Sequence, residues 1–461
     1  MTKKIILFSY NPVPTPEYTT IEGSALRFWR MALGLKKYES YDITIAVWEK
    51  FPQKYKEAEG FRITNFNADP QAIKELTQGY DAVVLSCAMG GLSKTIFDAL
   101  DPNSTTIIDA YSPMYVEFLT KSTDKTEDDQ WLGVYEEYIN VFNELLAKAD
   151  YVLIGNDNQK HFYRGVLGAT GALVNHNDNK FITLPAYVES VKAAAVKKSV
   201  ATTGDDRLNV LWFGGVYPWF DINSLITAFS HSSIKKIARL TIVGGSNPFY
   251  PKDNKRFNGK YMAAKAMAEK LGLLKDKTVI LKDWIEYKDR IEEFKEADIA
   301  VTINNTFIEN QYSFRLRVAD LAGNGVPIIT NGEDCLGEAL IDQGVAFRLN
   351  TQEGALTQSL KNILSNKNAI KLARRKLSGK KIYDSLHIYH YIPPLISAIN
   401  APKTKRVISS FVEKVEPSTP GTPKTQDFSI NSIAGVSTSR VLRVTLSRVK
   451  RVFLSRLGIK Y

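Results

Sequence analysis

The chain has 461 residues, 44% of them apolar and 24% charged, which suits a soluble protein of two or three domains rather than a disordered or fibrous one. Two cysteines and five histidines give no disulfide framework and no zinc-ligand spacing, and fit a reducing, cytoplasmic setting. The net charge of +11 is uneven. Residues 401–461 hold 12 Lys or Arg against 3 Asp or Glu, so the rest carries only +2, which argues against a nucleic-acid-binding body.

The first apolar run, Ile5 to Ser9, reads as a buried parallel strand. A Pro-rich loop follows, then Gly23-Ser24 and a helical pattern from Ala25 to Leu35. Strands are expected at Asp42 to Val47, Ala82 to Ser86, Thr106 to Asp109 and Tyr151 to Gly155. Their alternation with helical segments indicates a doubly wound α/β layer over residues 1–191, with its site beyond the carboxyl ends of the strands. Lys192 to Asp206 has little apolar pattern and reads as a linker, taken as 192–207. A second α/β series occupies 208–385, with strands at Asn209 to Phe213, Leu240 to Val243, Val279 to Leu281, Ile299 to Ile303 and Val326 to Thr330. Leu386 to Ile399 is expected to be helical, within 386–400. Residues 401–437, rich in Ser, Thr, Pro and Lys, form a flexible linker. Within 438–461, residues 438–457 place Val441, Leu442, Leu446, Val449, Val452, Phe453 and Leu457 on one helical face. Arg440, Arg443, Arg448, Lys450 and Arg451 lie opposite. That combination predicts a helix lying on an anionic membrane surface, or one packed on a protein.

The segment from Glu309 to Thr330 carries the most chemistry. An acid, a polar turn and two arginines, Arg315 and Arg317, precede a helical run that contains Asp320 and ends at Gly323-Asn324-Gly325. Free amides and the dipole at a helix start favour phosphate. Arginine adds a planar fork for two oxygens. The arrangement suits a sugar joined to a diphosphate. Gly214-Gly215 follows an expected strand, where bare backbone lets a diphosphate approach or makes a tight turn. Gly23 and Arg27 mark a helix start facing the expected cleft, and Asp109 stands at a strand end, where it orients an acceptor hydroxyl or fixes a turn.

The same segment resembles the retaining, GT-B-fold glycosyltransferases of family 4, most closely a branch reading roughly E-T-x-x-S-F-R-T-R-x-x-D-Y-x-W-A-G-L-P-V-V-x-T. Other stretches resemble that branch in order: Asp109 to Glu117, Asn156 to Gly165, Leu211 to Gly215 with Trp219-Phe220-Asp221, Leu240 to Gly245, and Asp283 to Tyr287 with Arg290. The likeness covers about residues 1–400. It implies a GT-B fold of two Rossmann-like domains, with donor in the second and acceptor in the first, and a closing helix at 386–400 that returns to the first domain. It implies transfer of a sugar from a nucleotide diphosphate to an acceptor hydroxyl with retention, needing neither cofactor nor metal. Glu309 corresponds to the acid that contacts the donor sugar, the position where the ungapped spacing of the wider family would instead put Tyr312, and Asp320 to the one that holds the ribose. Arg315 and Arg317 replace an Arg and a Lys absent after the Gly214-Gly215 turn. Ser313 and Phe314 offer backbone amides, and Trp284 and Ile285 hold the base unless Trp284 is a core aromatic. The expected acceptor is a glycan or lipid-linked sugar of an envelope or exopolysaccharide pathway, met at the inner membrane face. A sugar-nucleotide epimerase and a catalytically silent binding subunit of the same fold are the alternatives.

Overall fold

The computed structural model describes residues 2–38, 41–121, 128–172, 179–189, 206–250, 252, 254–305 and 308–402. All of these belong to one compact unit, Met1–Val412. The 438–457 helix, most of the 192–207 linker and all but the start of 401–437 lie outside the described residues.

Fourteen strands form two sheets among the described residues. The first contains β1 (Lys4–Ser9), β2 (Asp42–Trp48), β3 (Glu57–Ala58), β4 (Phe61–Phe66), β5 (Ala82–Ser86), β6 (Thr105–Asp109), β7 (Tyr151–Ile154) and β8 (Phe181–Thr183). The second contains β9 (Leu208–Phe213), β10 (Ala238–Val243), β11 (Val279–Lys282), β12 (Ile299–Thr302), β13 (Ile328–Thr330) and β14 (Ala346–Arg348). Their orders are β3-β4-β2-β1-β5-β6-β7-β8 and β11-β10-β9-β12-β13-β14. Every pairing is parallel except β3 with β4. The second order is the doubly wound 3-2-1-4-5-6, whose direction reverses between β9 and β12. A ligand crevice is expected beyond the ends of those two strands. The loop at Gly214 and the segment from Ile308 to Arg315 run there.

The strands form where the sequence supplies β-branched and aliphatic runs. Ile5, Ile6, Leu7 and Phe8 of β1 and Val210, Leu211 and Trp212 of β9 are all fully buried. Both faces of each sheet are covered, so the runs are continuous rather than alternating. The helix α1 (Gly23–Tyr38) packs Leu26, Trp29 and Leu35 into the first core. The last described segment enters the same core. Ile388, Ile392, Leu395 and Ile399, the last two from the Pro393–Asn400 helix, share the cluster with β1, β2 and α1.

That return depends on Gly34. A Cβ there would lie 2.6 Å from Ile392 Cγ1, so the closing segment meets bare backbone of α1. Alanine in a helix interior normally gains about 0.5–1 kcal/mol over glycine. Here overpacking, typically about 1–3 kcal/mol, opposes it. Gly34→Ala is expected to lower the melting temperature, and Gly34→Ala with Ile392→Ala to fare better than Ile392→Ala alone. Additive losses in calorimetry contradict this contact.

Candidate active site in the interdomain cleft

A cleft of about 310 Å³ lies between the two sheets. Its second-domain wall contains Gly214 and Gly215 from the end of β9, and Trp284 and Ile285 after β11. It also contains Glu309, Ser313, Phe314, Arg315, Arg317 and Asp320. Gly23 faces it from the start of α1, with Ile21, Leu26, Tyr111 and Glu117. Segments nearly 300 residues apart in sequence thus share one cavity.

The Gly214-Gly215 turn is backbone-lined for a steric reason. Gly214 has φ +91°, and Gly244 after β10, at φ +115°, would place a Cβ 2.6 Å from the Gly214 carbonyl carbon. The two turns touch, and neither tolerates a side chain. The Arg317 guanidinium lies against this turn. Its Nη2 donates to the Gly215 carbonyl, and a Cβ on Gly214 would lie 3.4 Å from it. The guanidinium also faces the rings of Phe220, at 4.1 Å, and Trp212, at 5.3 Å.

The two arginines differ in what they hold. Arg315 is 7% exposed and forks onto Glu309, Nη1 to Oε1 at 3.0 Å and Nη2 to Oε2 at 2.7 Å. Nη2 also donates to Asn310 Oδ1 at 2.6 Å, and Ser313 Oγ bonds Glu309 Oε1. Glu309, 3% exposed, is thus neutralised where it stands. Arg317 forms no ion pair among the described residues, and its Nη1 is buried without a partner. Burial pushes its pKa down to about 9; Tyr217 opposes this in part, and the nearby charge of Arg315 adds a lesser push in the same direction. The shift expresses the cost of a cation kept in the cleft wall without an anion. Of the two arginines, Arg317 is the one whose charge no acid compensates among the described residues.

Asp320 is 2% exposed on the Leu316–Gly323 helix and belongs to a charged knot across the seam. Its Oδ1 accepts from Arg30 Nη2 of α1 at 2.7 Å, and its Oδ2 lies 3.5 Å from Arg290 Nε. Arg30 Nε and Arg290 Nη2 donate to Glu189 at 2.5 and 2.9 Å, and Tyr287 Oη donates to it at 2.5 Å. Burial opposes the Glu189 charge, but Arg30 and Arg290 outweigh it and bring its pKa down to about 2.

Arg27 and Asp109 are the two expected site residues that do not line the cleft. They pair with each other at 2.7 and 2.8 Å, Arg27 Nη1 donates to the Leu184 carbonyl, and the Tyr111 ring covers the guanidinium at 4.4 Å. Neither presents a free group to an acceptor. Ser313 also differs from expectation, since its amide donates to the Glu309 carbonyl at 2.9 Å, leaving that role to Phe314. Trp284 is part-buried rather than a core aromatic, with Nε1 bonded to the Gly245 carbonyl.

Arg30, Glu189 and Tyr217 were not anticipated, and Tyr287 was expected only as part of the Asp283 to Tyr287 stretch. The signal for Arg30 is its position three residues after Arg27 in an apolar helix, which puts both guanidiniums on the buried face. Glu189 carries no local signal. Among the described residues, no cluster of three or more His, Cys, Asp or Glu has the geometry of a metal site, and no helix is long and apolar enough to cross a membrane.

No known family model and no curated protein matches the chain. Solved structures do. Sucrose-phosphate synthase from Thermosynechococcus elongatus superposes with a TM-score of 0.64 at 14% identity, over 86% of this chain and 98% of that one. WaaG, a glycosyltransferase involved in lipopolysaccharide biosynthesis, gives 0.56 at 14%, over 86% and 98%. The E. coli trehalose-6-phosphate protein bound with UDP-2-fluoro glucose gives 0.59 at 10%, over 87% and 100%. At these identities the likeness establishes the fold, which is GT-B as the sequence led us to expect.

The two arginines make opposite predictions for the ligand-free protein. Arg315→Ala strands a buried carboxylate, at a cost of about 3–5 kcal/mol. Arg317→Met removes a buried cation that no acid balances. Thermal unfolding is expected to fall sharply for the first and to hold or rise for the second; the reverse order contradicts the assignment.

Proposed function

We propose that the protein is a glycosyltransferase that moves a sugar from a nucleoside diphosphate to an acceptor hydroxyl. The observation that carries this reading is Arg317, a cation without an acid among the described residues, set against a bare glycine turn at the switch point of the second sheet. A diphosphate there meets the Arg317 guanidinium and the first-turn amides of the Leu316–Gly323 helix, whose start has no side-chain cap. Its ribose reaches Asp320, and its base lies toward Trp284 and Ile285. The sugar extends toward Glu309, fixed by Arg315. Complexes of structural neighbours support the donor class, since one of them is bound with UDP-2-fluoro glucose.

In the reaction the bond from the anomeric carbon to the diphosphate oxygen breaks. A bond to the acceptor oxygen forms, and the acceptor proton leaves with the diphosphate. Catalysis is electrostatic: Arg317 and the helix amides balance charge that grows on the leaving group, so no metal or cofactor is required. Retention and family 4 membership follow the ordered motifs. Glu117 and Tyr111 line the first-domain side, where the acceptor, a glycan or lipid-linked sugar of an envelope or polysaccharide pathway, is expected. Residues 438–457 would hold the enzyme on the anionic cytoplasmic face of a membrane.

Product analysis with nucleotide sugars and glycan acceptors tests the reading. The expected result is a new glycoside with retained configuration, unaffected by EDTA. Arg317→Met is expected to lower kcat about 10²-fold, as loss of one leaving-group donor does. An isomerised nucleotide sugar without acceptor, or no turnover with any donor, contradicts it. For the tail, full-length protein is expected to float with anionic vesicles and a chain ending at residue 402 to remain behind; equal flotation rules the tail out as the anchor.

A further inference from the structure

We infer that Arg30 is a positioning residue for the nucleoside end of the site, supplied by the first domain to orient Asp320 in the second. The inference rests on the donor-site reading above.

The geometry is specific. Arg30 is fully buried, and its side chain reaches from α1 across the seam. One edge of the guanidinium binds Glu189 through Nε, and Nη2 binds Asp320 Oδ1. Asn324 Nδ2 approaches the same Oδ1 at 3.5 Å. Oδ2 receives no such bond from the described residues; it lies 3.5 Å from Arg290 Nε, which is itself buried without a partner. The carboxylate is therefore bonded closely through one oxygen only, and Oδ2, beside the cleft that Asp320 lines, is the oxygen we assign to the ribose hydroxyls. Arg290 is held in place by stacking on Tyr287 at 3.6 Å and by Nη1 bonding the Tyr287 carbonyl. Without Arg30, the Asp320 rotamer keeps only two contacts at 3.5 Å, from Asn324 Nδ2 and Arg290 Nε, and the buried carboxylate loses its one close cation.

Two consequences follow. Ribose recognition depends on the first domain although Asp320 stands in the second, so the nucleoside site is complete only with α1 docked. The diphosphate contacts of Arg317 and Gly215 lie within the second domain and do not use Arg30. Arg30 should accordingly affect ligands that carry ribose hydroxyls and spare those that do not.

Calorimetric titration separates the cases. The full-length protein is titrated with UDP, GDP and ADP; the tightest binder is compared with its 2′,3′-dideoxy counterpart and with inorganic pyrophosphate. Arg30→Met is expected to weaken the nucleoside diphosphate about tenfold or more, the scale of one lost hydrogen bond to a charged group. The dideoxy compound and pyrophosphate are expected to keep their affinities. Arg30→Lys, which keeps the charge but reaches only one acid, is expected to fall between wild type and Arg30→Met, and it serves as the folded reference if Arg30→Met does not fold. Equal weakening of all three ligands, or none, overturns the role of Arg30 while leaving the donor site intact. Wild-type protein that binds none of the three nucleotides overturns the donor reading itself, and this inference with it.

Discussion

The seam between the two sheets is organised by the need to compensate buried charge. Arg27, Arg30, Arg290 and Arg315 each have a carboxylate within 2.9 Å: Asp109, Glu189 and Asp320, Glu189 again, and Glu309. Guanidiniums in low dielectric are tolerated only with such partners. Arg317 is drawn to the same seam and has none among the described residues. The packing of Trp212 and Phe220 and the bare Gly214-Gly215 turn fix it there. The fold thus keeps at this seam one cation that no acid compensates among the described residues, and it is the group to which we assign the donor diphosphate.

The same compensation ties the domains together. Arg30 spans to Asp320, and Glu22 at the start of α1 accepts from Asn247 of the second domain at 2.7 Å. Tyr111 Oη donates to the Phe314 carbonyl, and Gln159 Nε2 to the Tyr312 carbonyl at 2.7 Å. Several of these partners stand beside the groups assigned to the donor. The loop from Glu309 to Arg315 is therefore shaped by both halves, and the cleft is a joint product rather than a pocket of one domain.

Much of this was legible in the sequence, for identifiable reasons. Strands such as β1, β5 and β9 are unbroken apolar runs, and buried parallel strands leave that trace. β4 does not: Arg62, Thr64 and Asn65 interrupt it, and it was missed. β8 and β14 have three residues each, too few for periodicity to register. The second-domain wall was visible because its residues lie on local turns, Gly214-Gly215 and the 309–320 segment. The pairing of Arg27 with Asp109 was not, since the two lie 82 positions apart and no local pattern couples them. Arg315 and Arg317 look alike in sequence, and only the fold shows that Glu309 occupies the first. Residues 438–457, read as a membrane-facing helix, stand outside the described residues and add nothing to this comparison.

The central claim is that the uncompensated cation of this seam receives a diphosphate. A crystal structure with a bound nucleoside diphosphate tests it most directly. The account predicts phosphate oxygens within hydrogen-bonding distance of the Arg317 guanidinium and of the amides at the start of the Leu316–Gly323 helix, with Arg315 still forked onto Glu309. A nucleotide seated elsewhere, or one whose phosphates are held by Arg315 after it releases Glu309, would contradict it.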